Sequence, residues 1–333
     1  MIPKSLNQVS QILSTLGANL AAQGDPLGFK EVYWTDWAQE LGLARQGSDL
    51  LFTARMYQML PYAMEASRLS EKARTWLSLP GAAKVMDIGN RLAGERIVRG
   101  LAGKQKTTAR RGKDALCGIA RALTAVGRDP WYLYEQEPYT GALMHDLGLE
   151  DQVGPHAQKV ERILKNADAA NIITVDPHSA YMLQQVYPQY LSGCDLAVSH
   201  YLDILVQEKE RLSAAAQPLP MQEMVVHDSC VLVRELGLDC QLREVAAALG
   251  LELREPENSR ENTACCGGPI EYAFADLTEQ VSRLRAEELS REGSQVLVTC
   301  PICLINLARH EQELGLRVWD LGELLGLALS SGG

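Results

Sequence analysis

Two stretches of this 333-residue chain repeat one α/β unit, and this long-period repeat constrains the fold more than any other feature of the sequence. In the first copy Leu50-Leu51-Phe52, Trp131 to Tyr134 and Asn171 to Val175 read as strands, with helices at 115–127 and 156–169. In the second, Val225-Val226, Leu251 to Glu255 and Gln295 to Cys300 read as strands, with helices at 242–250 and 277–293. Strands alternating with helices of this length imply parallel pairing. Aligning the two copies sets Asp176 on Cys300, Pro177 on Pro301 and Ser179 on Cys303. It sets Tyr139 and Thr140 on Cys265 and Cys266, Gly141 on Gly267, and Ala54 on Cys230. The intervals agree: 35 residues separate Thr140 from Asp176, and 33 separate Cys266 from Cys300. The expected fold is therefore α/β, with two pseudo-repeated halves of mainly parallel sheet flanked by helices and an N-terminal helical extension. Its expected divisions are 1–47, extension and connector; 48–200, a first half with a long helical insertion from about Met56 to Gly127; and 201–333, the second half.

Composition narrows the function classes. An apolar fraction of 46% supplies a core and excludes disorder. The net charge of −10 argues against a general nucleic-acid binder. The apolar runs fall short of the roughly 20 residues of a membrane span. The N-terminus, MIPKSLNQVSQILSTLGANL, reads as an amphipathic helix and lacks the basic start of a signal peptide. A soluble, cytoplasmic protein is expected. A basic segment (Arg91, Arg96, Arg99, Lys104, Lys106, Arg110, Arg111, Lys113) reads as a solvated helix face, or alternatively as a docking surface for an acidic partner.

Of eight cysteines, six lie between 230 and 303. Such clustering without a secretory signal suggests metal ligation or redox chemistry over structural disulfides. The pattern is Cys230, 34 residues, Cys265-Cys266, 33 residues, Cys300-x-x-Cys303. CxxC alone is ambiguous among zinc, redox thiols and iron–sulfur. An adjacent pair directs its side chains apart, so both reach a bridged cluster more readily than one mononuclear ion. Gly267 and Gly268 remove bulk beside them. All three loops follow strands and so converge at the carboxyl edge of a parallel sheet. Five thiolates exceed the four of a structural zinc, which favours an iron–sulfur cluster; zinc with a spare thiol is the alternative. Cys117, Cys194 and Cys240 lack partners at ligand spacing and are expected to be small core residues.

This pattern is similar to the cysteine-rich CCG domain of the heterodisulfide reductase B subunit and of related iron–sulfur oxidoreductase subunits, including those of glycolate and lactate oxidation. His227-Asp228-Ser229-Cys230 resembles the family's HDPC, with Ser229 in place of Pro, and the segment 24–43 resembles a connector that joins a ferredoxin-like domain to the CCG region in fused relatives. The resemblance implies a non-cubane 4Fe-4S cluster held by Cys230, Cys265, Cys266, Cys300 and Cys303, and disulfide or thiol redox chemistry. It implies a ferredoxin-like C-type subunit and a flavin-containing A-type subunit as partners. It also implies two clusters in heterodisulfide reductase proper, whereas Ala54, Tyr139, Thr140, Asp176 and Ser179 cannot bind a second one. The function expected first is a heterodisulfide reductase B-like subunit acting on a disulfide or thiol. The alternatives are an electron-transfer subunit of a 2-hydroxy-acid oxidising complex and a zinc-binding assembly subunit.

His227, beside the first thiol, is the candidate catalytic residue, as proton donor to a leaving thiolate or as a structural hydrogen bonder. His178, in the degenerate Asp-Pro-His-Ser turn, either touches substrate or caps that turn. Tyr139 and Tyr181 are expected to fill the volume of the missing cluster. The chain contains no P-loop, nucleophile elbow or dinucleotide-binding glycine motif.

Overall fold

The computed structural model describes residues 34–61, 106–269 and 271–330, together with 14, 17–20, 24 and 26. Most of the N-terminal helix, most of the connector, residues 62–105 of the helical insertion and the basic residues Arg91 to Lys104 lie outside these.

Each half builds a four-stranded parallel sheet. The first contains β1 (Asp49–Phe52), β2 (Pro130–Trp131), β3 (Asn171–Thr174) and β4 (Val198–His200), in the order β2-β1-β3-β4. The second contains β5 (Glu223–Val226), β6 (Glu252–Arg254), β7 (Gln295–Val298) and β8 (Arg317–Asp320), in the order β6-β5-β7-β8. The second order is the first shifted by four strands, so the repeat in sequence is a repeat of topology. Every strand pairing is parallel. Central strands such as Leu50-Leu51-Phe52 and Val296-Leu297-Val298 are wholly buried, because helices cover both faces of a parallel sheet.

The helices that matter below are α1 (Lys106–Ala125), α2 (Glu150–Asn166), α3 (Pro177–Tyr181), α4 (Asp239–Ala248), α5 (Glu271–Glu292), α6 (Pro301–Ala308) and α7 (Leu321–Ala328). The fourth strand of each sheet, β4 and β8, is not apparent from residue patterning. Each has three or four residues, only partly buried, and pairs on one side alone. The tetrapeptide at 131–134 is strand only as far as Trp131, since Tyr134 opens a 3-10 turn.

Strand register corrects one alignment. Leu50 pairs with Ile172 and Val225 with Val296. With Asp176 on Cys300, Ile172 corresponds to Val296, so Leu50 corresponds to Val225. Arg55, and not Ala54, then stands opposite Cys230. The two loops share no residue that could have anchored the sequence alignment there.

The halves are joined by α1 of the first and α7 of the second, whose backbones nearly touch. A Cβ on Gly118 would lie 1.9 Å from the Gly322 carbonyl oxygen, and one on Gly322 would lie 2.5 Å from that of Ala115. Arg111 crosses this junction to Glu323 at 2.8 Å, and Tyr57 donates to Asp320 at 2.9 Å. Arg111 is thus a buried structural cation, while Lys113 pairs with Glu40 and Arg110 with Asp114. No helix among the described residues is long and apolar enough to cross a membrane.

Candidate metal centre

The loops after β5 and β7 lie side by side because β5 and β7 are paired neighbours. Cys300 is the N-cap of α6, in extended backbone (φ −129, ψ 127), with Pro301 as the first helical residue. Asp176 caps α3 in the same conformation (φ −136, ψ 152), with Pro177 following. The Asp176 carboxylate accepts the Ser179 N–H at 2.9 Å. In the other half Cys300 makes no such side-chain cap bond. One backbone geometry at a helix N-cap therefore places a carboxylate in the first half and a thiol in the second.

The Cys265-Cys266 loop turns through Gly267, whose φ of +89 suits glycine and whose Cβ would sit 2.9 Å from the Thr278 carbonyl oxygen. The Gly267 N–H donates to Cys265 Sγ at 3.3 Å, and Thr278 Oγ1 donates to the Gly267 carbonyl at 2.8 Å. Asp228 joins this loop to that of Cys230. Its fully buried carboxylate accepts from Arg243 Nη2 of α4 at 2.8 Å and from the Arg260 N–H at 2.7 Å. Its carbonyl accepts from Thr263 Oγ1 at 3.1 Å.

The five thiols form one connected set. Cys230 interacts with Cys265, Cys265 with Cys266, Cys266 with Cys303, and Cys303 with Cys300. Cys266, Cys300 and Cys303 are buried, while Cys230 and Cys265 are half-buried. Hydrogen bonds from Cys230 and Cys266 hold the Cys265 thiol far below its ordinary range, as a thiolate. Burial would raise Cys300, but hydrogen bonds from Cys303 and His178 outweigh it and hold that thiol low as well. Interaction with Cys265 pushes Cys230 and Cys266 up, and interaction with Cys266 and then Cys300 pushes Cys303 up.

Both candidate histidines lie at this site. A ring nitrogen of His227 and the Sγ atoms of Cys266 and Cys303 all fall within 4.8 Å of one another. Burial, and then the Arg285 charge, lower His227 to about 3, so its ring is neutral. His178 crosses from the first half: its Nδ1 meets Asp146 at 3.3 Å and its side chain hydrogen-bonds Cys300. Burial lowers its pKa, but Asp146 and Cys300 together raise it well above the ordinary value. Nothing in the spacing of the sequence marks Asp146, Arg243 or Arg285; each is one charged residue in an otherwise mixed segment.

The first half closes its matching site with polar packing. Tyr139 is buried, and its hydroxyl accepts the Leu143 N–H at 2.8 Å. Tyr181 is half-buried, with its ring 5.8 Å from that of His145. Glu137 is buried and accepts from the Thr53 N–H at 2.6 Å and the Thr53 hydroxyl at 2.7 Å. Burial still lifts its carboxyl from 4.5 to about 7. The unfolded chain ionises this group at lower pH than the folded chain does. Stability supplied by the neutral form is therefore complete below pH 4.5 and lost as pH rises through about 7. Urea midpoints of the metal-free chain should fall between about pH 5 and pH 8, and Glu137→Gln should flatten that slope by of order 3 kcal/mol. Among the other cysteines, Cys117 is buried, Cys194 half-buried and Cys240 exposed, so Cys240 is not a core residue. It sits in the first turn of α4, a helix that buries another face.

Residues 224–308 match the family described as a cysteine-rich domain, CCG. The second half carries a CCG domain. All five thiols lie within this matched CCG segment, together with His227, Asp228 and Arg285. Three curated relatives are similar to the chain beyond that segment. A probable iron–sulfur-binding oxidoreductase, FadF, of Bacillus subtilis is 27% identical over 215 residues, 62% of this chain and 30% of the relative. EtfAB:quinone oxidoreductase of Syntrophomonas wolfei is 29% identical over 226 residues, 63% and 31% of the two chains. A probable membrane-anchored ferredoxin of Chromohalobacter salexigens is 28% identical over 231 residues, 66% and 34%. The match thus spans about a third of the length of these relatives.

Proposed function

We propose that this chain is an iron–sulfur oxidoreductase subunit that carries electrons on a single cluster of the 4Fe-4S, non-cubane type. The observation behind this reading is the connected set of five thiols in one half, against Arg55, Tyr139, Thr140, Asp176 and Ser179 in the other. The donor set suits a polynuclear iron centre: five sulfurs from three loops exceed the four ligands of structural zinc, and the buried Nε2 of His227 has no hydrogen-bond partner among the described residues. Cys230, Cys265, Cys266, Cys300 and Cys303 would hold the cluster, which when bound supplies one-electron chemistry. The Gly267 N–H stabilises negative charge on the Cys265 sulfur, and the interior keeps water from Cys266, Cys300 and Cys303.

A second reading, disulfide or thiol chemistry, is favoured by the half-buried state of Cys230 and Cys265, which a sulfur compound could approach from solvent. Under either reading a ferredoxin-like C-type subunit and a flavin-containing A-type subunit are the proposed partners, with the cytoplasm as the compartment. The proposed divisions are 1–47, 48–200 and 201–333.

The test is anaerobic purification followed by metal and sulfide analysis, expected to give about four of each per chain. Dithionite-reduced protein is then mixed with ferricyanide or with oxidised dithiothreitol. Reoxidation by ferricyanide alone supports the electron-transfer reading, and release of dithiol supports the second. One zinc without iron overturns both.

A further inference from the structure

His227 and Arg285, 58 residues apart in sequence, meet in the interior of the CCG domain. Arg285 projects from α5, is 1% exposed, and is held by Glu288 one turn further on at 2.8 Å. Its Nε–H donates to His227 Nδ1 at 3.1 Å. A guanidinium has donors only, so Nδ1 is the acceptor nitrogen, and in a neutral imidazole the proton then resides on the other nitrogen. That nitrogen, Nε2, is buried without a hydrogen-bond partner among the described residues. With Nδ1 taken by Arg285, Nε2 is the nitrogen left for the sulfurs of Cys266 and Cys303, which lie within 4.8 Å of the ring.

We infer that Arg285 is a positioning residue that locks His227 in its Nε2–H tautomer, making His227 a fixed hydrogen-bond donor to sulfur at the centre and not an iron ligand. The inference rests on the iron–sulfur reading above. A histidine that binds metal donates its far N–H to a carboxylate or carbonyl, which leaves the near lone pair for the ion. Here the far nitrogen faces a donor, which inverts that arrangement. Metal on Nε2 would require a proton on Nδ1, and two N–H groups would then point at each other. His178 is set the opposite way, with its Nδ1 against the carboxylate of Asp146. A hydrogen bond to sulfur stabilises the more negative reduced state and raises the reduction potential.

The test uses anaerobically iron-loaded chain labelled with 15N-histidine. Pulsed EPR of the reduced wild type should show only weak nitrogen coupling, with an exchangeable-proton coupling that His227→Leu removes. The midpoint potential should shift downward in His227→Leu and be largely kept in His227→Gln, which retains an N–H. Arg285→Met should lower the potential as well, while Arg285→Lys, still a donor, should stay near wild type. A nitrogen coupling of directly ligated strength in the wild type overturns the inference, as does an unshifted potential in iron-replete His227→Leu. Where a variant fails to fold, nitrogen NMR of the metal-free wild type decides: Nε2–H is expected, and Nδ1–H overturns the inference. A wild type that takes up no iron overturns the underlying reading, and is distinguishable because the tautomer is read without metal.

Discussion

Cys266→Ala and Cys300→Ala chains should each retain less than about one-tenth of the wild-type iron after anaerobic purification. Cys266 stands in the middle of the sulfur set, between Cys265 and Cys303, so its loss separates the pair loop from the CxxC turn. Cys300 stands at the N-cap of α6, where Cys303 and His178 hold its thiol low, so its loss removes one of the two sulfurs favoured as thiolate. Neither replacement leaves an overpacked interior, and circular dichroism should be unchanged. Cys240→Ala, at an exposed thiol outside the set, should keep full iron and serves as the control. Iron retained near wild type in Cys266→Ala and Cys300→Ala would mean that the connected thiols do not hold it.

The second large effect should be on stability. Asp228→Ala should cost about 1.5–3 kcal/mol in urea unfolding, because it removes the buried one of two carboxylates on Arg243, leaving only Glu255 at 2.7 Å. It also frees the Arg260 N–H and loosens the link between the Cys230 loop and the Cys265-Cys266 loop. Iron uptake should fall in parallel, although Asp228 is not itself a sulfur ligand. In the double variant Asp228→Ala/Arg243→Leu the two losses should fall short of additive, since both remove the same buried pair. Glu313→Ala breaks an exposed pair with Arg283 and should leave the urea midpoint near that of the wild type. An Asp228→Ala cost no larger than that would show the buried pair to be dispensable.

Much of the framework was legible in residue order. The apolar runs Leu50 to Phe52, Ile172 to Thr174 and Val296 to Val298 are buried central strands, and burial on both faces demands that composition. The spacing of Asp176 and Ser179 against Cys300 and Cys303 carried the repeat, because one capped turn recurs at the same distance from its strand. The edge strands β4 and β8 were not legible, since half-exposed segments of three or four residues look like loop. Nor was the register at Arg55, which depends on pairing across the sheet.

The sequence by itself determined the α/β repeat and the asymmetry between a sulfur-bearing half and a sulfur-free one, because strand hydrophobicity and cysteine spacing are local properties of the chain. Tertiary structure alone decided which groups surround the thiols: Asp146 and His178 from the opposite half, Arg243 behind Asp228, and Arg285 behind His227. A hydrogen bond between residues 58 apart exists only once the helices have packed, and its direction follows from the chemistry of the partner that packing delivers.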